Sequence, residues 1–341
     1  LGTFWEPDEL EELTRAADHH GIVIPLYRAH SRGDLRSGDA TSLVALGRRR
    51  RAGALQLTVS AVEVCEALRA SEVHYALVKG PALALAFEDA DRQFVDVDLV
   101  VPPSQMERAI STIGALGAVV LGGVSWPRRD GIAEVTLILP NGSNVDLHAN
   151  LVVHAGDRRD FHLDTESLLG RTTTVCILGH EISVLDAEDT LVHVALHAAL
   201  SGGDRLVWLA DLDALVRQNG HSWSLLVDRS RDAGAALVVG VMLDRAVEVL
   251  GCPVPREVVL ALQQRGILWA KMLRQFERWR PTAANYDRNL RGQVLIRSTR
   301  RSSYTSLAAL VRLIRTDVVG HLLHDRQHPW RVRIRQHWAH R

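Results

Sequence analysis

Apolar residues recur at helical spacing through residues 6–70, first as Leu10, Leu13, Ala16 and Ala17 and later as Leu57, Val59, Val62, Val64 and Leu68. The polar stretch 30–42 between these runs predicts an exposed loop or helix junction. The period then shortens. "VHYALVK" (73–79) is a short β-rich run punctuated by Gly80-Pro81, and Pro81 suits the first position of a short helix through "ALALAFEDA". Residues 94–102 alternate, with Phe94, Asp96, Asp98 and Val100 on one side and Val95, Val97, Leu99 and Val101 on the other. This predicts a strand with one apolar face and one face carrying two acids. Ser104 with Glu107 three residues later has the capping-box pattern for a following helix. Residues 133–151 predict two strands joined by the Asn141-Gly142 turn, and 174–185 a second hairpin. The uncharged run 109–127 contains four glycines and a proline, so it reads as helix end, strand and turn rather than a membrane span.

From Ala187 onward the pattern is helical, with Asp186 as the expected cap of "AEDTLVHVALHAAL". The predicted fold class is therefore α+β. A small mixed β-sheet core over 72–185 is flanked by an N-terminal helical segment, 1–71, and a C-terminal helical domain, 186–341.

Composition narrows the class. The 341 residues are 47% hydrophobic, which excludes disorder as the main state. Lys+Arg and Asp+Glu number 40 each, so no global field holds the protein on nucleic acid or an anionic membrane. The acidic first twelve residues do not read as a signal peptide, and Cys65, Cys176 and Cys252 form neither a disulfide framework nor a spaced zinc site. A soluble protein of a reducing cytoplasm is the expectation. Every basic residue but Lys79 and Lys271 is Arg, a bias typical of GC-rich bacterial genomes, which directs attention to those two lysines.

Two acids at i and i+2 on one face of a strand lie about 6–7 Å apart and repel each other. A hard divalent cation between them reverses that cost and bridges them to phosphate oxygens. A merely solvated strand face is the plainer explanation of an isolated Asp-x-Asp. Its surroundings favour the cation. Upstream, Lys79-Gly80 makes a tight turn into a helix N-terminus; downstream, a second strand presents Asp146 and His148 on one face. Three acids on neighbouring strands beside a glycine turn form a phosphoryl-transfer layout.

On these residues, 72–151 resembles the DNA polymerase β-like nucleotidyltransferase superfamily. More narrowly, "LVKGPALALAF", "RQFVDVDLVVP" and "NVDLH" are similar to a family of bacterial nucleotidyltransferases, a similarity extending through "LHAALSGGDRLVWLADLDALV" and "LGCPVP". The resemblance implies that Asp96 and Asp98 bind Mg²⁺, or Mn²⁺ in its place, which clamps the triphosphate of an NTP, with ATP as the first guess. Asp146 would share the metal near the acceptor and help remove a proton from its hydroxyl. Gly80 would admit the phosphates closely, Lys79 and Arg92 would neutralise their charge, and His148 would orient Asp146 or meet the acceptor. The turn departs from the broader superfamily, whose Gly-Gly or Gly-Ser offers a second backbone N–H and, with serine, a hydroxyl, both of which Gly80-Pro81 lacks; this leaves open which phosphate is attacked.

Three functions follow. The favoured one is Mg²⁺-dependent transfer of an NMP to a hydroxyl of a small molecule, glycan or peptide, with release of pyrophosphate. The second is an RNA- or tRNA-directed transferase using the tail, which carries 11 Arg against Asp317 and Asp325 from Arg291 onward; a solvated helix neutralising the acidic N-terminus is the plainer account of those charges. The third is a non-catalytic nucleotide-binding scaffold. His193 and His197 have the i, i+4 spacing of a zinc pair but lack a third ligand, and read better as helix-packing histidines. Asp211 and Asp213 point apart on a helix, Asp211 as a contact to the core and Asp213 at the surface.

Overall fold

The computed structural model describes residues 4–87, 90–218, 220–279 and 290–323. Helices α1 (Pro7–His20), α2 (Val23–Arg32) and α3 (Thr41–Ala70) occupy the N-terminal segment, where β1 (Phe4–Trp5) pairs in parallel with β2 (Arg36–Ser37). The core contains β3 (Ala76–Leu77), β4 (Val97–Val100), β5 (Val119–Val120), β6 (Glu134–Ile138), β7 (Asn144–His148), β8 (Thr173–Ile177) and β9 (His180–Val184). These strands form one mixed sheet in the order β5-β6-β7-β4-β3-β9-β8, with β4 parallel to β7 and antiparallel to β3. Short helices α4 (Pro81–Ala84), α5 (Met106–Gly114) and α6 (Thr165–Leu169) are interspersed. Helices α7 (Ala187–Leu200), α8 (Leu206–Arg217), α9 (Trp223–Asp232), α10 (Ala236–Leu250), α11 (Arg256–Gln263), α12 (Ile267–Trp279), α13 (Leu290–Arg297) and α14 (Ser303–Leu323) follow.

Alternation along the strands separates two cores. Val97, Leu99, Val135, Leu137, Val145 and Leu147 pack with Val64 and Leu68 of α3 and Met106 and Ile113 of α5. On the opposite face Ala76, Val78 and Val100 join a helical cluster that includes Leu191, Ala195, Leu209 and Leu243. The same face carries Asp98, Asp146 and His148 beyond that apolar patch, because strand residues two apart share a face. Helix α10 lies in this second core, with Leu237, Val238, Met242 and Leu243 buried.

Several local expectations are revised. The strand at 94–102 is ordered as β4 only over Val97–Val100, and Asp96 sits in the bend before it. Its acidic face is not solvated: Asp98 is 3% exposed. Ser104 does not cap α5. Residues Pro103–Gln105 form a 3₁₀ turn instead, and the Gln105 side chain accepts from the His74 N–H at 2.8 Å. The Asn141-Gly142 turn closes a three-residue loop, with Leu139 N–H donating to Ser143 O and Gly142 at φ 82°. Asp186 does cap α7, accepting from Asp189 N–H at 2.9 Å. No helix among the described residues is long and apolar enough to cross a membrane. The RNA-directed expectation rested on the tail from Arg291 to Arg341, of which residues 324–341 lie outside the described residues.

Candidate functional site

Parallel pairing of β4 with β7 sets Asp98 directly beside Asp146, and antiparallel pairing of β6 with β7 sets Thr136 opposite Asp146 and Glu134 opposite His148. All five side chains therefore share the face turned toward the helical half. The loop closing β6 and β7 decides this register. A two-residue Asn-Gly turn would slide the pairing by one and bring Leu137 opposite Asp146; the three-residue loop keeps Val135 and Leu137 in the core.

The resulting cleft has a volume of about 450 Å³. Its sheet side is lined by Lys79, Gly80, Arg92, Asp96, Asp98, Glu134, Asp146 and His148, all seven sequence-predicted residues plus Glu134. The other wall includes His193 and His197 of α7, Arg205, Trp208 and Arg297. Gly80 adopts φ 52°, ψ −119°, and a Cβ there would stand 3.2 Å from the Asp96 carbonyl oxygen and 3.4 Å from Phe94. Only glycine lets the Lys79 turn approach the acid-bearing bend this closely. Helix α4 behind it is a single turn.

Charge in the cleft is arranged as a chain. Lys79 Nζ lies 2.8 Å from Asp98 Oδ1, and His148 Nε2 lies 2.9 Å from the same oxygen. His148 Nδ1 in turn faces Glu134 Oε2 at 3.4 Å. Burial alone would raise the Asp98 pKa, but Lys79 and His148 hold it well below the usual carboxylate range. Burial opposes the charged forms of Lys79 and His148 as well; Asp98 and the neighbouring acids outweigh it and raise both pKa values. Asp146 goes the other way. Burial, then the charges of Glu134 and Asp98, push it up to about 7, although Thr136 Oγ1 donates to its Oδ1 at 2.6 Å. Asp98 thus keeps its charge in the buried cluster, while burial and acidic neighbours drive Asp146 toward its neutral form.

Two sequence-derived roles change in their particulars. His148 bonds Asp98 rather than Asp146. Arg92 is anchored by Asp211 of α8, through Nε to Oδ1 at 2.5 Å and Nη2 to Oδ2 at 2.8 Å. This is the contact between Asp211 and the core that the sequence suggests. The third nitrogen, Nη1, is buried without a hydrogen-bond partner. His193 is buried and His197 half-buried in helix packing, and burial followed by the charge of Lys79 brings His193 down to about 3 and His197 well below its ordinary value. Among the described residues no third His, Cys, Asp or Glu joins them at a metal position.

The donor set bears on a metal. Asp96, Asp98 and Asp146 offer hard carboxylate oxygens, and a divalent cation would offset the mutual repulsion of the buried acids, so the residues fit Mg²⁺ in chemistry. As the side chains stand, no three His, Cys, Asp or Glu among the described residues converge on one metal position.

Comparison with known proteins decides the family. The model of a family described as "uncharacterised nucleotidyltransferase" matches residues 6–251, from the start of α1 to the end of α10. The chain belongs to this family. It is a nucleotidyltransferase, an enzyme, as the residues of β4 and β7 imply. No curated protein matches it. Among solved structures it is similar to an antigenic nucleotidyltransferase-like protein from Paracoccidioides brasiliensis, at 17% identity and TM-score 0.39, covering 61% of this chain and 92% of that one. It is also similar to the antibiotic-resistance factor ANT(2'')-Ia, at 12% identity and TM-score 0.37, covering 53% and 91%. The lincosamide antibiotic adenylyltransferase LnuA matches at 16% identity and TM-score 0.30, covering 43% and 89%.

Among the acids lining the cleft, the one that sequence reading missed is Glu134. Its signal was the hairpin register, which becomes readable only once the loop is known to contain three residues.

Proposed function

We propose that the transferase moves an NMP from an NTP to a hydroxyl of a small-molecule, glycan or peptide acceptor, releasing pyrophosphate. The observation that carries this reading is the pairing of Asp98 with Asp146 on adjacent parallel strands, on one face, at the floor of the cleft bearing the Lys79-Gly80 turn. Asp96, Asp98 and Asp146 would hold Mg²⁺, which when bound supplies charge stabilisation for the α-phosphate under attack. The chain's own residues do the rest. Gly80 gives the phosphates access to the floor. Lys79 provides a buried ammonium beside them, and the unpartnered Nη1 of Arg92 points to an anionic group as its missing partner. Asp146 would stand beside the metal where the acceptor hydroxyl arrives and would take its proton. His148, bridging Asp98 and Glu134, holds the floor carboxylates in place.

The test follows the label. The protein is incubated with Mg²⁺, α-³²P- or γ-³²P-labelled NTPs and a panel of hydroxyl-bearing small molecules, glycans, peptides and tRNA. Label from the α-position on a non-nucleic-acid acceptor, with labelled pyrophosphate from the γ-position, is the expected result. Transfer of the γ-label to the acceptor would replace the reading with a phosphotransferase.

A further inference from the structure

The wall of the cleft opposite the acids contains a feature that phosphate chemistry does not use. Trp208 of α8 lines the cleft half-buried, with the Arg205 guanidinium carbon 5.9 Å from its ring centroid. The His197 ring meets it edge-on at 6.3 Å. Each member of this group is fixed. Arg205 Nε donates to the carbonyl of His19, at the end of α1, at 2.9 Å. Gly21, just beyond, packs so tightly that a Cβ would stand 3.0 Å from Arg205 Nη2 and from Val207. His197 is half-buried and held neutral, so it brings no competing charge to the ring.

Position decides what such a group would bind. The charges of Lys79, Asp98 and His148 act on both His193 and His197, and Trp208 lines the same cleft as Lys79 and Asp98. The His193 and His197 rings stand 6.1 Å apart along α7, and Trp208 meets His197 at 6.3 Å. A nucleotide with its phosphates against Lys79 would carry its base toward this wall of the same cleft. A rigid indole with a guanidinium held over one side of it offers a planar, electron-poor group a stacking surface, and every nucleobase presents a π-face to such a surface.

We infer that Trp208, braced by Arg205 and His197, is the platform for the nucleobase of the donor NTP, so that the helical half grips the base while the sheet grips the triphosphate. This inference rests on the proposal that the cleft binds an NTP. It makes Trp208 a substrate contact, and it assigns the α1–α2 junction the role of holding Arg205 against the ring. Stacking tolerates all four bases, so the platform contributes affinity and leaves base choice to hydrogen-bonding groups around it.

The experiment compares Mg²⁺ complexes of ATP, GTP, CTP and UTP with Mg²⁺-tripolyphosphate, which has the phosphates and no base, by isothermal titration of wild type, Trp208→Ala and Trp208→Phe. The expected result is that Trp208→Ala loses about ten-fold or more in affinity for the NTPs and keeps wild-type affinity for tripolyphosphate, while Trp208→Phe retains most NTP affinity. Undiminished NTP binding by Trp208→Ala would overturn the platform alone. So would a parallel loss of NTP and tripolyphosphate in both variants. Failure of wild type to bind any NTP would bring down the transferase proposal and the platform with it.

Discussion

Asp211→Asn is the most informative single perturbation of the fold, because the Arg92–Asp211 pair ties the sheet to the helical half. The guanidinium is 8% exposed and the carboxylate 2%, with contacts of 2.5 and 2.8 Å. Arg92 keeps its charge at any accessible pH, so the substitution leaves a buried cation with one neutral acceptor and with Nη1 already unpartnered. Breaking a buried pair by removing one partner costs about 3–5 kcal/mol, against about 0–1 kcal/mol for a surface pair. The loss is read from urea unfolding followed by far-ultraviolet dichroism and tryptophan fluorescence. Arg92→Met/Asp211→Leu should recover most of it, since no lone charge remains. A loss below about 1 kcal/mol in Asp211→Asn, or a double variant worse than the single one, would refute the claim that this pair is a desolvated structural anchor.

Further outcomes follow from the same cleft. Asp146 has a folded-state pKa of about 7 against an ordinary 3.8, so its neutral form favours folding; the stability it contributes is present at low pH and lost as pH rises through about 7. At three pK units this amounts to about 4 kcal/mol, and metal-free protein should lose Tm between about pH 4 and 7, with Asp146→Asn flattening the slope and Mg²⁺ opposing it. His193 has the opposite sign: its folded pKa is depressed to about 3 from 6.5, so its contribution is present above 6.5 and lost as pH falls toward 3, a slope that His193→Phe should remove from the acid limb of the Tm profile. Gly80→Ala forces an L residue to φ 52° with its Cβ 3.2 Å from the Asp96 carbonyl. It should cost about 1–3 kcal/mol and weaken Mg²⁺-NTP binding measured by titration; unchanged affinity would show that the tight turn is not needed at the phosphate.

The sequence made the acids legible because strand parity is strict. Asp98 and Asp146 had to share a face with each other once Val97, Leu99, Val145 and Leu147 were assigned to the core. Lys79 and Gly80 were readable from the break between a β-rich run and a proline-started helix. What the sequence hid was partnership across long separations. Nothing local says that Arg92 is held by a residue 119 positions away, or that Lys79 lies on Asp98. Glu134 was hidden by one residue of loop length, since a two-residue turn would have turned its strand over. The Ser104 cap failed for a local reason: after Pro102-Pro103 the chain makes a 3₁₀ turn before α5 begins. The stacked group on Trp208 depends on α1, α7 and α8 meeting, which no spacing rule reports.

The central claim is that three carboxylates on β4, β7 and the bend before β4 hold a metal-bound nucleoside triphosphate. The most direct measurement titrates each of ATP, GTP, CTP and UTP, with Mg²⁺ and with chelator, into wild type and into Asp96→Asn/Asp98→Asn. The account predicts that wild type binds at least one NTP only with the metal present, and that the double variant, still folded by dichroism, loses that binding. A folded wild type that binds no NTP, or a double variant that binds as tightly as wild type, would contradict it.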